Sequence, residues 1–368
     1  MNDKSMKDNT PIFDIEIPGF QVLCFRRIYG SEDISVKVRF KNPYIGLNKV
    51  VILSMNEVKS SSAFRKKIPQ SFSIPDVKPS NQIETLCYAI NQALNRPDTM
   101  IEEALPQGFS FVENELFYVI GDCIFPTAAY EKGRSVLSNQ FVTENPDDMK
   151  FLLPISEARK IKFERALDWV HSYCAQGPAQ TVLFLCAMTP YIKHILPERF
   201  SEKSTVSAYV VGQSGFGKTT QIELLRTTDG KYGLNLESDT KEILAGLASF
   251  RDRAVQIDDL NKTGSDSIRA KKESKVFSLL QMSSSAAGEI RSKDVNVDLG
   301  NKALLFSAEY ILPNFSTMNR TVLLHIRRAF DPETLTWLQQ NRACYGRFLV
   351  HFISMICCHR EKLQKILS

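Results

Sequence analysis

The sequence predicts an α/β protein, with a parallel sheet sandwiched by helices in its second half, preceded by an α+β module and a helical connector. Three observations carry this. Apolar, β-branched runs near 206–211, 254–258, 303–308 and 321–326 alternate with helical stretches, the order from which parallel sheets are built. Before residue 150, by contrast, short strand patterns of period two surround a single helical pattern. The length of 368 residues leaves room for two or three domains of roughly 150 residues.

Composition narrows the function classes. Lys and Arg number 46 against 41 Asp and Glu, so the net charge of +5 excludes a histone-like tail and leaves nucleic-acid binding open. With 43% hydrophobic and 24% charged residues the chain is an ordinary folded protein. Its eight cysteines are scattered singly, apart from Cys357-Cys358, which favours a reduced, cytoplasmic protein. The polar stretch Met1–Thr10 lacks the apolar core of a signal peptide. The longest apolar run, Thr181–Ile192, is too short for a spanning helix, which needs about 20 residues. No membrane span is expected.

In chain order, Phe20–Cys24, Ile34–Phe40 and Val50–Leu53 read as strands, because alternation sends every second side chain to one face. Asn81–Leu94 reads as a helix. Gly108–Val112 and Leu116–Gly121 flank a Glu113-Asn-Glu turn as two further strands, completing an α+β module over 1–150. A linker is expected at Glu144–Asp148. Ser156–Cys174 shows helical spacing at Ile161, Ala166, Leu167, Val170 and Tyr173, and Pro178 opens a second helix to about Leu196. These form a connector over 151–200, ahead of a core at 201–330 and a helical segment at 331–368.

The core opens on Gly212-Gln213-Ser214-Gly215-Phe216-Gly217-Lys218-Thr219-Thr220, a phosphate-loop pattern between a strand and a helix expected at Gln221–Arg226. Glycines admit backbone conformations that turn successive N–H groups inward on a phosphate, and a following helix adds its positive end. Lys218 would neutralise β and γ oxygens of ATP, and the Thr219 hydroxyl would ligate Mg²⁺. Hydrolysis also requires a carboxylate for the metal and a group that orients water. Forty residues beyond Lys218, the strand Ala254-Val-Gln-Ile ends in Asp258-Asp259. Alternation separates the two side chains, so Asp258 is the metal candidate and Asp259 the water-activating candidate.

The strand Lys302–Glu309 should end beside the phosphates, with Ser307 and Glu309 both candidates for sensing the γ-phosphate or positioning water. Arg320 introduces the next strand and could serve its own subunit or a neighbour's nucleotide. Arg327 and Arg328 read better as a solvated face. Five histidines are never paired at metal spacing, and Cys357-Cys358-His359 lies in an apolar helical stretch, so no metal beyond Mg²⁺ is expected.

At these residues the chain resembles the ring-forming helicase-like ATPases of superfamily 3. It resembles more closely the P-loop domain found in replication proteins of phages, plasmids and integrative elements, often beside a primase module. The matching stretches are Gly212–Thr220, Asp258-Asp259, Ala287–Lys293, and Ser307-Ala-Glu309 followed by Arg320. The resemblance implies a P-loop NTPase core of ASCE/AAA+-like type, and Mg²⁺-dependent ATP hydrolysis coupled to movement on single- or double-stranded DNA. It also implies a homo-oligomer, a hexameric ring, with nucleotide between subunits. Relatives usually end the sensor strand in Asn, where this chain has Ser307-Ala-Glu309, and 331–368 is short for a family-type lid. The first 150 residues lack the clustered carboxylates of a primase.

Between Arg251 and Lys293 stand nine Lys and Arg against four Asp and Glu besides the Asp258-Asp259 pair, an excess the near-neutral total conceals. In a ring, a hairpin or loop from this stretch would face the channel, with Arg269, Arg291 and Lys293 as DNA contacts. The alternative is a nucleotide-gated switch or assembly ATPase acting on protein partners, as in phage defence, without translocation. A small-molecule kinase is disfavoured, since neither an Arg-rich lid nor an acceptor pocket is evident.

Overall fold

The computed structural model describes residues 17–75, 77–126, 141–143, 150–152, 157, 160–196, 205–229, 233–238, 243, 247, 251–261, 265–283, 289–292, 295–298, 302–313, 319 and 321–367. The chain divides into two compact units, 1–106 with 139–144, and 107–138 with 145–368.

The first unit begins with an antiparallel meander, β1 (Phe20–Ile28), β2 (Ile34–Asn42) and β3 (Leu47–Ser54). Three short-range signals then build helices α1 (Met55–Lys59), α2 (Ser61–Lys67) and α3 (Gln82–Leu94). Ser54 and Glu57 close a reciprocal capping box on α1, Ser60 caps α2, and α3 buries Ile83, Leu86 and Ile90 at helical spacing. Alternation in β2 sends Val36, Val38 and Phe40 into a core shared with those helices. Burying each such side chain stabilises by roughly 1.5–3 kcal/mol. β4 (Ile101–Leu105) then returns parallel to β1.

The chain next supplies β5 (Gly108–Val112), β6 (Glu115–Ile120) and β7 (Cys123–Phe125), an antiparallel sheet belonging to the second unit, before β8 (Val142–Thr143) returns to pair with β4. The turn between β5 and β6 falls on Glu113 and Asn114, both at positive φ, as a two-residue hairpin requires. The boundary therefore falls at 106, not near 150. The reason is a tertiary contact: Phe109 N–H donates to Asp252 Oδ2 at 2.8 Å, and the Tyr118 hydroxyl donates to the Asp252 carbonyl at 3.1 Å. Gly108 has a φ of 90°, and a Cβ there would stand 2.5 Å from that carboxylate, so another residue would be strained and would displace the Asp252 side chain.

The second unit continues through β9 (Lys150–Phe151), α4 (Phe163–Cys174), α5 (Pro178–Ile192), β10 (Ser207–Gly212), α6 (Lys218–Glu223), β11 (Thr228–Asp229), β12 (Gly233–Asn235) and β13 (Ala254–Leu260). Then follow α7 (Asp266–Ser283), the hairpin β14 (Glu289–Ser292) and β15 (Val295–Asp298), β16 (Ala303–Ala308), β17 (Thr321–Ile326), α8 (Pro332–Gln340) and α9 (Arg342–Leu367). The central sheet runs β12-β13-β16-β10-β17 with every pairing parallel, and β9 pairs antiparallel with β11. In β10, Ala208 and Val210 face the core that holds residues of α4, α5 and α9, while Tyr209 and Val211 face the one that holds residues of α7. Both faces are thus covered, as parallel sheets require.

Several boundaries differ from expectation. α4 starts at Phe163, and the helix after the glycine loop starts at Lys218 instead of Gln221. The last helical stretch is two helices: Asp331 caps α8, and Asn341 separates it from α9. The aromatic stack of Tyr173, Trp169 and Tyr345 joins α4 to α9, with Trp169 Nε1 donating to the Leu338 carbonyl at 2.9 Å. All eight cysteines are free. Among the described residues no helix is long and apolar enough to cross a membrane.

Candidate functional site

The site forms at the carboxyl ends of β10, β13 and β16. β10 must end in glycine, because a Cβ at Gly212 would lie 2.6 Å from the Ile326 carbonyl of β17. The chain then turns through Gly215 and Gly217, whose φ of 86° and 67° are costly for residues with a Cβ. None of the described residues lies within 4 Å of where those Cβ atoms would stand, so it is backbone shape, and not crowding, that requires glycine there.

Lys218 is buried and donates from Nζ to the Gln213 carbonyl at 3.0 Å, which holds the amine against its own loop. Phe216 packs against the larger apolar core, anchoring the outer side of the loop. Thr219 Oγ1 donates to Asp258 Oδ1 at 3.3 Å and lies 3.1 Å from Ser307 Oγ. Strand order explains this trio. β16 lies between β10 and β13, so Ser307 comes up between the loop and the carboxylate. A cleft of about 390 Å³ is lined by Ser214, Gly215, Gly217, Lys218, Thr219, Asp258, Leu260, Asn261, Ser307 and Glu309.

Of the candidates chosen from sequence, the cleft gathers Lys218, Thr219, Asp258, Ser307 and Glu309 with three loop residues. Gln213 and Phe216 contribute carbonyls, Gly212 ends the strand, and Thr220 is half-buried in α6. Asp259 lies on β13, its side chain outside the described residues. Arg320 and Lys293 also lie outside them, and for Arg291 only its backbone place on β14 is described. The cleft adds Asn261, whose sequence signal is a polar residue just after Asp258-Asp259 at the end of a strand. Gln221 had no signal. It is fully buried, donates to the Phe216 carbonyl at 3.1 Å and accepts from Gln180 Nε2 at 3.0 Å, while its own carbonyl accepts from the Tyr173 hydroxyl at 3.0 Å. Arg342 reaches the Glu223 and Arg226 carbonyls at the far end of α6, both at 3.1 Å.

The donor set suits one kind of ion. No group of three or more His, Cys, Asp or Glu converges among the described residues. One carboxylate and two hydroxyls form an all-oxygen set, and Mg²⁺ typically takes one or two carboxylates, retaining waters and phosphate oxygens for the rest. Adjacent ligands of an octahedral ion with 2.0–2.1 Å bonds stand roughly 2.9 Å apart. The 3.3 Å and 3.1 Å separations are close to that spacing.

Part of the basic surplus is used inside the fold. Lys272 is buried and pairs with Glu237 at 2.9 Å, and Lys275 donates to the Leu236 and Ser238 carbonyls at 2.9 and 2.7 Å. Both tie α7 to the segment after β12. Arg253 is buried as well, whereas Arg269 stays at the surface of α7, where it pairs with the exposed Asp266 one turn away.

No protein-family model matches the chain, and no curated protein does. Among solved structures it is similar to SCCmec type IV Cch, described as an active helicase, with a TM-score of 0.58 at 14% identity. The alignment covers 94% of this chain and 62% of that one, so the chain spans under two thirds of its length. A JCV helicase structure aligns over 56% of this chain and 61% of that one at 16% identity, with a TM-score of 0.34. The first likeness shows a shared fold: a mixed α/β core on a parallel sheet, consistent with the P-loop NTPase class.

Proposed function

We propose that the chain is a Mg²⁺-dependent ATPase that drives a helicase or translocase on DNA in the replication of a mobile genetic element, assembled as a ring. The observation that carries the reading is the convergence of Thr219, Ser307 and Asp258 within 3.3 Å at the mouth of the Gly212–Thr219 loop. Thr219 and Asp258 would hold Mg²⁺, which supplies charge neutralisation of the phosphates when bound. Lys218, on leaving the Gln213 carbonyl, meets the β and γ oxygens as a point charge. Asp259 orients the attacking water and takes its proton, and Glu309 or Ser307 fixes the γ-phosphate against that water. Arg320 completes a site shared between subunits, and Arg269, Arg291 and Lys293 meet DNA phosphates.

The test is ATP hydrolysis with and without single-stranded DNA, wild type against Lys218→Ala. Hydrolysis that rises with DNA and disappears in Lys218→Ala supports the proposal. A fully active Lys218→Ala removes the ATPase reading, and hydrolysis indifferent to DNA at low salt replaces translocation with a switch that acts on protein partners. Mass measurement with ATP and Mg²⁺, repeated with DNA, reads the assembly.

A further inference from the structure

The first unit carries a strand face rich in cations, on β2. From Ile34 to Met55 the sequence holds four Lys and Arg and no Asp or Glu. Alternation puts Lys37, Arg39 and Lys41 on one face of β2, opposite the face on which Val36, Val38 and Phe40 enter the core. Register continues that face with Ile52, Val50 and Asn48 on β3, the edge strand of the sheet. The contrast with β1 is informative, because there Arg26 and Arg27 each meet a carboxylate across the sheet, Glu102 and Glu103. Arg39 and Lys41 have no such partner among the described residues, and Arg39 Nε is out of water without a hydrogen bond.

At the end of this row, the turn into β3 presents an aromatic ring. Asn42 Oδ1 accepts the Tyr44 N–H at 3.1 Å and Gly46 takes φ 67°, so the turn is a fixed structure. Tyr44 is nevertheless 97% exposed, with Ile45 beside it more than half exposed.

We propose that the β2–β3 hairpin binds single-stranded DNA, with its phosphates along Arg39 and Lys41 and a base stacked on Tyr44. Charge decides the occupant, since Arg39 and Lys41 meet no carboxylate among the described residues, and cations left unneutralised attract a polyanion. Alternate residues of a strand stand about 6.8 Å apart, so a stretched single strand can follow the row. A stacking ring at its end suits unpaired bases and not a closed duplex. The inference rests on the reading that the chain acts on DNA, and does not depend on hydrolysis.

The experiment measures anisotropy of a fluorescein-labelled oligo(dT) with the full chain, without nucleotide, between about 50 and 200 mM salt. Neutralising Arg39 and Lys41 to Gln is expected to lower the slope of log K against log salt by about 0.7 per cation. Tyr44→Ala, too exposed to affect folding, is expected to weaken binding between about 5-fold and 150-fold without changing that slope. Lys49→Gln lies on the opposite face of β3 and is expected to change neither. Unchanged affinity and slope in the first two variants overturn the proposal, as does displacement of the oligonucleotide by polyglutamate at equal charge. Lys218→Ala is expected to bind oligo(dT) as the wild type does, and the hairpin variants to keep hydrolysis measured without DNA, so failure of the ATPase reading and failure of this one are separate results.

Discussion

Thr219 and Asp258 stand 39 positions apart in sequence, yet the threonine hydroxyl lies 3.3 Å from the aspartate oxygen, with Ser307 Oγ 3.1 Å from the same hydroxyl. A contact of that length is long for O–H···O and contributes little to stability. Its value lies in where it puts three oxygens.

Asp258→Asn keeps the shape and removes the charge. Steady-state hydrolysis is expected to fall about 100-fold or more, the scale of losing one preorganised electrostatic group, while nucleotide binding measured without Mg²⁺ stays near wild type. Activity within a few-fold of wild type would exclude Asp258 from the metal site.

Ser307 and Glu309 separate by their metal dependence. Ser307→Ala removes an oxygen beside Thr219 and is expected to raise the Mg²⁺ concentration for half-maximal hydrolysis. Glu309→Gln is expected to lower kcat at saturating Mg²⁺ with that concentration unchanged. Titrating both variants with Mg²⁺ distinguishes them, and identical titrations would merge the two roles.

Gln221→Leu leaves the Phe216 carbonyl and Gln180 without their bridging amide. An unmade buried hydrogen bond costs about 1–3 kcal/mol, visible as a lower urea midpoint. Because one of the freed groups is in the phosphate loop, KM for ATP is expected to rise by more than kcat falls, a split that a purely structural role would not produce.

Asp252 has a φ of 54° and caps Phe109. Asp252→Ala is expected to destabilise by about 1–3 kcal/mol, and Asp252→Asn by less, since Asn tolerates positive φ and retains an acceptor oxygen. Equal urea midpoints for the two variants would contradict this.

His351 packs against Phe163 with ring centres 4.1 Å apart, and burial, with Arg347 beside it, holds its imidazole below the usual range. A lowered folded pKa means that the folded state binds fewer protons, so its contribution is present above the unfolded value near 6.5 and is lost as pH falls through the folded one. The unfolding temperature is therefore expected to drop between about pH 7 and pH 5, and less so in His351→Phe.

What the sequence exposed follows from the range of each interaction. Strict alternation at Ile34–Phe40 and the turn pair at Glu113-Asn114 are local signals, and both describe the structure. The glycine spacing from Gly212 to Gly217 is local as well, and it located the loop with Lys218 and Thr219. The position of β12 is not legible, because Gly233–Asn235 is too short to show a period. The membership of residues 107–125 is not legible in the sequence, because it depends on Asp252, 143 positions from Phe109. Sequence does not separate Ser307 from Glu309, because only strand order decides which of them neighbours Thr219.

The same topology governs how the protein can be divided. The chain passes between its two units at 106, near 138 and again near 144, and β8, on the third piece, pairs only with β4 among the described residues. No single cut can release one unit whole. A truncation at 107 would strand β8 beside the remainder with its hydrogen-bonding edge unmatched, inviting pairing with another chain. Separating the units cleanly requires excising 139–144 as well and rejoining the ends.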